Sequence, residues 1–170
     1  LVSIARLSLI AGVASLLVGG VIVVVGFTKL LEGRHLLLDV VYPANLRVQE
    51  LRTALLDQET GIRGFAITRD ERLLEPYRRG SVEAESITSE LIDGYHEIDG
   101  NDAVLAKVAV IDDAMQRWRT DVAAPILDAP VPEAELDATI LRSKEAFDDV
   151  RRQVDGLATL VAADRVAFAA

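Results

Sequence analysis

Residues 136–161 read LDATILRSKEAFDDVRRQVDGLATLV. Leu136, Ile140, Phe147, Val150, Val154, Leu157 and Val161 fall at steps of four, seven, three, four, three and four. That spacing is the a/d seam of a heptad pattern, and it predicts a long helix packed against others at crossing angles near ~20°. Ser143 and Lys144 occupy the gap in the seam, so one layer is either polar or covered by a snorkelling lysine. A stripe of this length is stable in water only when neighbouring helices cover it.

Working toward the N-terminus, the chain supplies those neighbours. Asp128-Ala129-Pro130-Val131-Pro132 is a break, and before it Leu105, Val108, Met115, Trp118, Val122 and Ile126 recur at helical spacing. Asp99-Gly100-Asn101-Asp102 is a second break, with Gly100 closing one helix and Asn101 or Asp102 capping the next. Before that, Leu73, Leu74, Tyr77, Val82, Ile87, Leu91 and Tyr95 mark another helix, with Pro76 early enough in it to be tolerated. Thr68 or Asp70 caps it after a turn at 68–71. The first helix carries Leu46, Leu51, Leu55, Ile62 and Phe65, and extends upstream through Leu36, Leu37 and Val40 with a kink at Pro43. No alternating β-branched runs interrupt the series. The fold class is therefore all-α, an antiparallel up-down four-helix bundle with long helices, in which the chain enters and leaves at the same end.

An N-terminal transmembrane helix precedes the bundle. Leu7 to Thr28 are 22 residues without a charge, and a helix of that length, about 33 Å, crosses a hydrocarbon core of about 30 Å. A cleaved signal peptide has a shorter apolar region and a small-x-small cleavage site, and a soluble core could scarcely cover such a run on every side. The expected organisation is thus residues 1–6 as the end of a cytoplasmic tail and 7–29 as the span. Residues 30–165 form the helical domain, and 166–170 approach a second span. Arg6 before the span, and Lys29 and Arg34 after it, leave orientation unsettled by charge. Ala11, Ser15 and Gly19 form a small-residue stripe of the kind that lets spans pack closely.

With Arg6 and Lys29 set aside, 16 basic against 27 acidic residues leave a net charge of −11. That balance argues against nucleic acid as a partner. The chain has no cysteine, hence no disulfide or thiolate metal site, and its two histidines, His35 and His96, are too far apart to form a ligand pair. No Gly-rich nucleotide loop or phospho-acceptor helix is present, and a single Glu-x-x-His, Glu32-Gly33-Arg34-His35, falls short of the two that a carboxylate-bridged metal bundle uses, so no cofactor, metal or catalytic residue is expected.

The most distinctive stretch is Asp57-Gln58-Glu59-Thr60-Gly61-Ile62-Arg63-Gly64-Phe65, followed by Thr68, Asp70, Leu73, Glu75, Pro76 and Tyr77. It resembles the signature of CHASE3 domains, roughly E-T-G-x-R-G-aromatic, then T-G-D, then a leucine or tyrosine pair and P-Y. The chain departs from it at Ile62, where glutamine is common, and at Arg69, where glycine is more usual. The resemblance implies an extracytoplasmic sensory domain between two membrane spans. Such a domain feeds a histidine kinase most often, and otherwise a cyclase, chemoreceptor or phosphatase regulator. It further implies a cell-membrane location, a homodimer, and a small-molecule or protein stimulus that the sequence does not name.

The signature residues Asp57, Glu59, Thr60, Gly61, Arg63, Gly64, Phe65, Asp70, Pro76 and Tyr77 are read as structural. Glu59 and Arg63 stand four apart in the favourable acid-before-base order. Gly61 and Gly64 each cost about 1 kcal/mol in a helix, which a close helix approach or a bend would offset. Tyr77, Tyr95 and Trp118 are read as core or bundle edge, and the ligand-binding residues stay unassigned. The competing account is a singly anchored helical scaffold without signalling.

Overall fold

The structure, a computed structural model, describes residues 12, 15–28, 42–96, 98 and 102–169. All its elements are helical and no strand occurs among the described residues. Residues 15–28 are helical, with Leu16, Leu17, Ile22 and Phe27 exposed. Among the described residues no helix is long and apolar enough to cross a membrane. The rest of the expected span lies outside the described residues, as do the upstream extension through Val40 and the Asp99–Asn101 turn.

Helix α1 spans Tyr42–Thr68. A 3-10 turn, Glu71–Leu74, leads into α2, Glu75–His96. Helix α3, Asp102–Trp118, passes through a π turn at Arg119–Ala123 into the short α4, Ala124–Asp128. A 3-10 turn at Glu133–Glu135 opens α5, Leu136–Ala169. Side-chain pairs fix the directions. Arg47 meets Glu90 at 2.7 Å and Asp57 meets Arg79 at 2.9 Å, so α1 and α2 run antiparallel. Arg52 with Asp155 and Glu59 with Arg151 set α1 antiparallel to α5. Lys107 with Gln153 at 3.2 Å, and Trp118 edge-on to Phe147 at 5.3 Å between ring centres, do the same for α3 and α5.

The seam of α5 is buried at Phe147, Val150, Val154, Leu157 and Val161, each contributing about 1.5–3 kcal/mol by leaving water. Its first two members, Leu136 and Ile140, are half-buried. The missing layer is filled by Ser143, fully buried, while Lys144 turns outward to Asp148 at 3.0 Å. The layer is therefore polar rather than snorkelled.

Three expected core residues are on the surface: Leu46 is 60%, Leu73 39% and Val82 69% exposed. Small residues have the inward positions instead. Ala44 and Val48 flank Leu46 in the core, and α2 buries Gly80, Ala84, Ile87, Leu91 and Tyr95, a face that Val82 does not share. The reason is the closeness of α1 and α2. A Cβ built on Gly80 would lie 2.3 Å from the Ala54 carbonyl oxygen, so larger side chains cannot stand between the two backbones there.

The π turn corrects the phase of α3. Plain helical spacing from Trp118 buries Val122, yet Ala123 is the fully buried residue and Val122 only half so. One residue is added to the turn ahead of Pro125, whose ring cannot follow an ordinary turn without meeting the carbonyl four residues back.

Candidate functional site

The signature stretch lies on the C-terminal half of α1, and its side chains reach the neighbouring helices in turn. Asp57, half-buried, binds Arg79 of α2. Gln58 is fully buried. Its Nε2 donates to the Gly80 carbonyl at 2.9 Å, and its Oε1 accepts from Ser81 Oγ at 3.2 Å and from Arg119 Nε and Nη2 at 3.4 Å. The next residue, Glu59, is 1% exposed and takes a hydrogen bond from Arg151 of α5, with Arg63 Nη1 at 3.6 Å. Consecutive helical positions diverge by about 100°, so this one dipeptide ties α1 to α2 and the α3 extension on one side and to α5 on the other.

Around that pair the remaining residues set the helix approach. Thr60 is exposed. Gly61 lies against α2, where an added Cβ would be 2.8 Å from the Tyr77 backbone nitrogen, and Gly64 faces the Leu73 side chain at 3.1 Å. Phe65 is buried and Tyr77 half-buried. Pro76 stands in the first turn of α2.

The turn after α1 is stapled at several points. Thr68 Oγ1 donates to the Gly64 carbonyl at 2.9 Å and accepts from the Asp70 amide at 3.2 Å. Asp70 caps the following turn by accepting from the Arg72 amide at 3.0 Å. The Arg72 guanidinium, assisted by that amide, holds the Asp70 carboxyl below its ordinary range. Arg69 is the one non-glycine residue with positive φ, 56°, among those described. It occupies a conformation that favours glycine, and its side chain accounts for the exception. Its guanidinium sits 4.3 Å from the centre of the Phe65 ring and donates to the carbonyls of Ile126 at 2.7 Å and Ala129 at 3.1 Å. That bond set ties the end of α1 to α4.

Sequence reading did not single out Gly80 or Arg151, and it gave Gln58 no role beyond its place in the signature stretch. Gly80 left a trace, a glycine inside an amphipathic helix, but the partners of Glu59 and Gln58 lie 92 and 61 residues away along the chain and have no local signature. Arg117 and Arg119, on either side of Trp118, lie on different faces: Arg117 pairs with Asp113 on the surface and Arg119 turns inward to Gln58.

The arrangement is a polar layer in a helical core, and its bonds fix how the helices sit against one another. The sequence profile of the CHASE3 domain family matches residues 37–166. No curated protein and no solved structure matches the chain. CHASE3 domains are extracytoplasmic sensory domains of membrane signalling receptors. With the match covering most of its length and the signature stretch forming the interhelical layer, the chain belongs to the CHASE3 domain family.

Proposed function

We propose that this chain is the input module of a membrane receptor, most simply a dimeric histidine kinase. A stimulus shifts the packing of an up-down four-helix bundle, and the shift passes to an output through α1 and α5. The observation that carries this reading is the Glu59–Arg151 pair, its carboxylate buried, which couples the first and last helices of the domain, α1 and α5. A buried ion pair adds little net stability compared with an apolar contact, but it penalises every register except the one that pairs it. Such a contact suits an element with two discrete packings, where displacements of about 1–2 Å suffice. The stimulus, a small molecule or protein, acts only by binding one packing better than the other.

In this reading residues 7–29 span the membrane, supported by their 22-residue uncharged core, and the helical domain stands outside the cytoplasm. The chain itself carries no catalytic step. Because it lacks cysteine, topology can be tested cleanly with single replacements. Ser89, exposed on α2, is replaced by cysteine and Ser3 likewise in a second variant. Intact cells are then treated with a membrane-impermeant maleimide. Ser89→Cys is expected to label in intact cells and Ser3→Cys only after permeabilisation. The reverse pattern, or no labelling of Ser89→Cys before lysis, would overturn the proposal.

A further inference from the structure

At the end of the domain where α1 turns into α2, the π turn, α4, the proline loop and the start of α5 border a cavity of about 470 Å³ that opens to solvent. That volume lies in the range of small-molecule sites, about 300–1,000 Å³. Its apolar wall includes Val122, Ile126 and Val131, and its polar edge carries Asp121, Glu135 and Arg142. Among the described residues none of these three charges is in an ion pair, as holds for other surface charges such as Glu71 and Arg78. Arg142 makes one side-chain hydrogen bond, to Thr139 Oγ1 at 3.2 Å, which leaves most of its donors open.

Two further features give the cavity a fixed shape. The π turn at Arg119–Ala123 contributes Asp121 and Val122 to its wall, and π turns inside helices are frequent at functional sites. Arg69, held at positive φ, bonds the carbonyls of Ile126 and Ala129, both of which line the cavity. The site is thereby preorganised, and its floor is tied to the end of α1. Preorganisation of this kind lowers the ordering cost of binding.

We infer that this cavity binds a small aliphatic zwitterion, an α-amino acid or short peptide. The ammonium lies toward Asp121 and Glu135, the carboxylate toward Arg142, and the aliphatic body rests against Val122, Ile126 and Val131. Two carboxylates and one guanidinium bordering an apolar wall complement that class; an anion alone meets the acids, and a cation alone leaves Arg142 unanswered. The site supplies the sensory reading with its ligand. Binding is measured on the chain alone, so a failure here leaves the receptor reading intact, and a failure of membrane topology leaves the binding result intact.

The test is isothermal titration of the full chain in detergent micelles with L-leucine and with the dipeptide Leu-Leu, the two arms separating a free amino acid from a peptide source. Isoamylamine and isovalerate, each lacking one charge, serve as comparison probes. At least one zwitterion is expected to bind saturably at one site per chain. The single-charge probes, and the variants Arg142→Ala and Asp121→Asn/Glu135→Gln, are expected to bind at least about tenfold more weakly, the loss of a charge-assisted hydrogen bond. These three side chains are exposed, and unchanged helical circular dichroism verifies that the variants fold. Absence of saturable binding of either zwitterion up to about 10 mM overturns the inference. So does equal binding of a single-charge probe, or indifference to Arg142→Ala.

Discussion

The carboxylate of Glu59 on α1, 1% exposed, is bonded to the guanidinium of Arg151 on α5, which remains 39% exposed. The pair is therefore asymmetric, with an anion committed to the interior and a cation that keeps one side in water. Removing Arg151 leaves a buried carboxylate with only Arg63 at 3.6 Å, whereas removing the charge from Glu59 leaves a cation able to turn outward. Loss of one member of a buried pair costs about 3–5 kcal/mol, and the exposure of Arg151 places this case near about 3. Arg151→Ala is expected to lower the melting temperature by roughly 6–12 °C, Glu59→Gln by less, and the double variant by less than Arg151→Ala alone. Additive losses in helical circular dichroism melts would show that the two residues are not coupled.

The glycines separate by what stands in front of them. Gly80 and Gly61 face backbone atoms at 2.3 Å and 2.8 Å from an added Cβ, so a methyl group there must push α1 and α2 apart. Gly156 faces only the far end of Lys107, at 3.3 Å, which can move aside. Gly80→Ala should destabilise by about 2 kcal/mol or more through overpacking, outweighing the helix preference of alanine. Gly156→Ala should be neutral or stabilise by about 0.5–1 kcal/mol. Chemical denaturation of the two variants side by side decides the matter, and a Gly80→Ala protein as stable as the parent would rule out the close approach.

The helical class and most of the core were legible in the sequence because burial on α5 and α3 follows large apolar residues at regular spacing. Legibility failed where the backbones come closest. On α1 and α2 the inward positions went to Ala44, Ala54, Gly80 and Ala84, and a reading weighted toward large side chains chose Leu46 and Val82. It also failed at Ala123, since an inserted π residue shifts phase and only Pro125, three residues before Asp128, hinted at it. The signature stretch stood out as a pattern, but its work depends on Arg119 and Arg151, whose roles arise only when distant helices meet.

At Arg69 two effects of opposite sign can be separated. The positive φ costs a non-glycine residue about 1–2 kcal/mol. The guanidinium's two bonds to the Ile126 and Ala129 carbonyls, each worth about 1.5–3 kcal/mol when charge-assisted, and its contact with Phe65 outweigh that cost. Arg69→Gly relieves the strain but loses the bonds, and Arg69→Ala loses the bonds while keeping the strain. The expected order of stability is arginine, glycine, alanine, with about 1 kcal/mol between the last two. Melting of the three proteins under one condition checks it; alanine matching arginine would mean that the bonds to α4 contribute nothing.

Tyr95 gives the domain an alkaline limit. Burial, and after it the negative charge of Asp164 on α5, hold its hydroxyl proton well above the ordinary value of 10. The hydroxyl makes no hydrogen bond of good geometry, so in Tyr95→Phe the stability at neutral pH should change by less than about 1 kcal/mol. The difference appears only in base. Below pH 10 both the folded and unfolded forms keep the proton and the contribution is fully present. As pH rises past 10 the unfolded chain releases its proton while the folded one retains it, so stability falls by about 1.4 kcal/mol per pH unit until the folded value is reached. Tyr95→Phe removes that slope, because phenylalanine has nothing to ionise on unfolding. Melting temperatures of the two proteins should coincide near pH 8 and diverge above pH 10, the variant melting higher. Parallel curves across that range would mean that the Tyr95 hydroxyl ionises as readily folded as unfolded, and hence that α2 and α5 do not close over it.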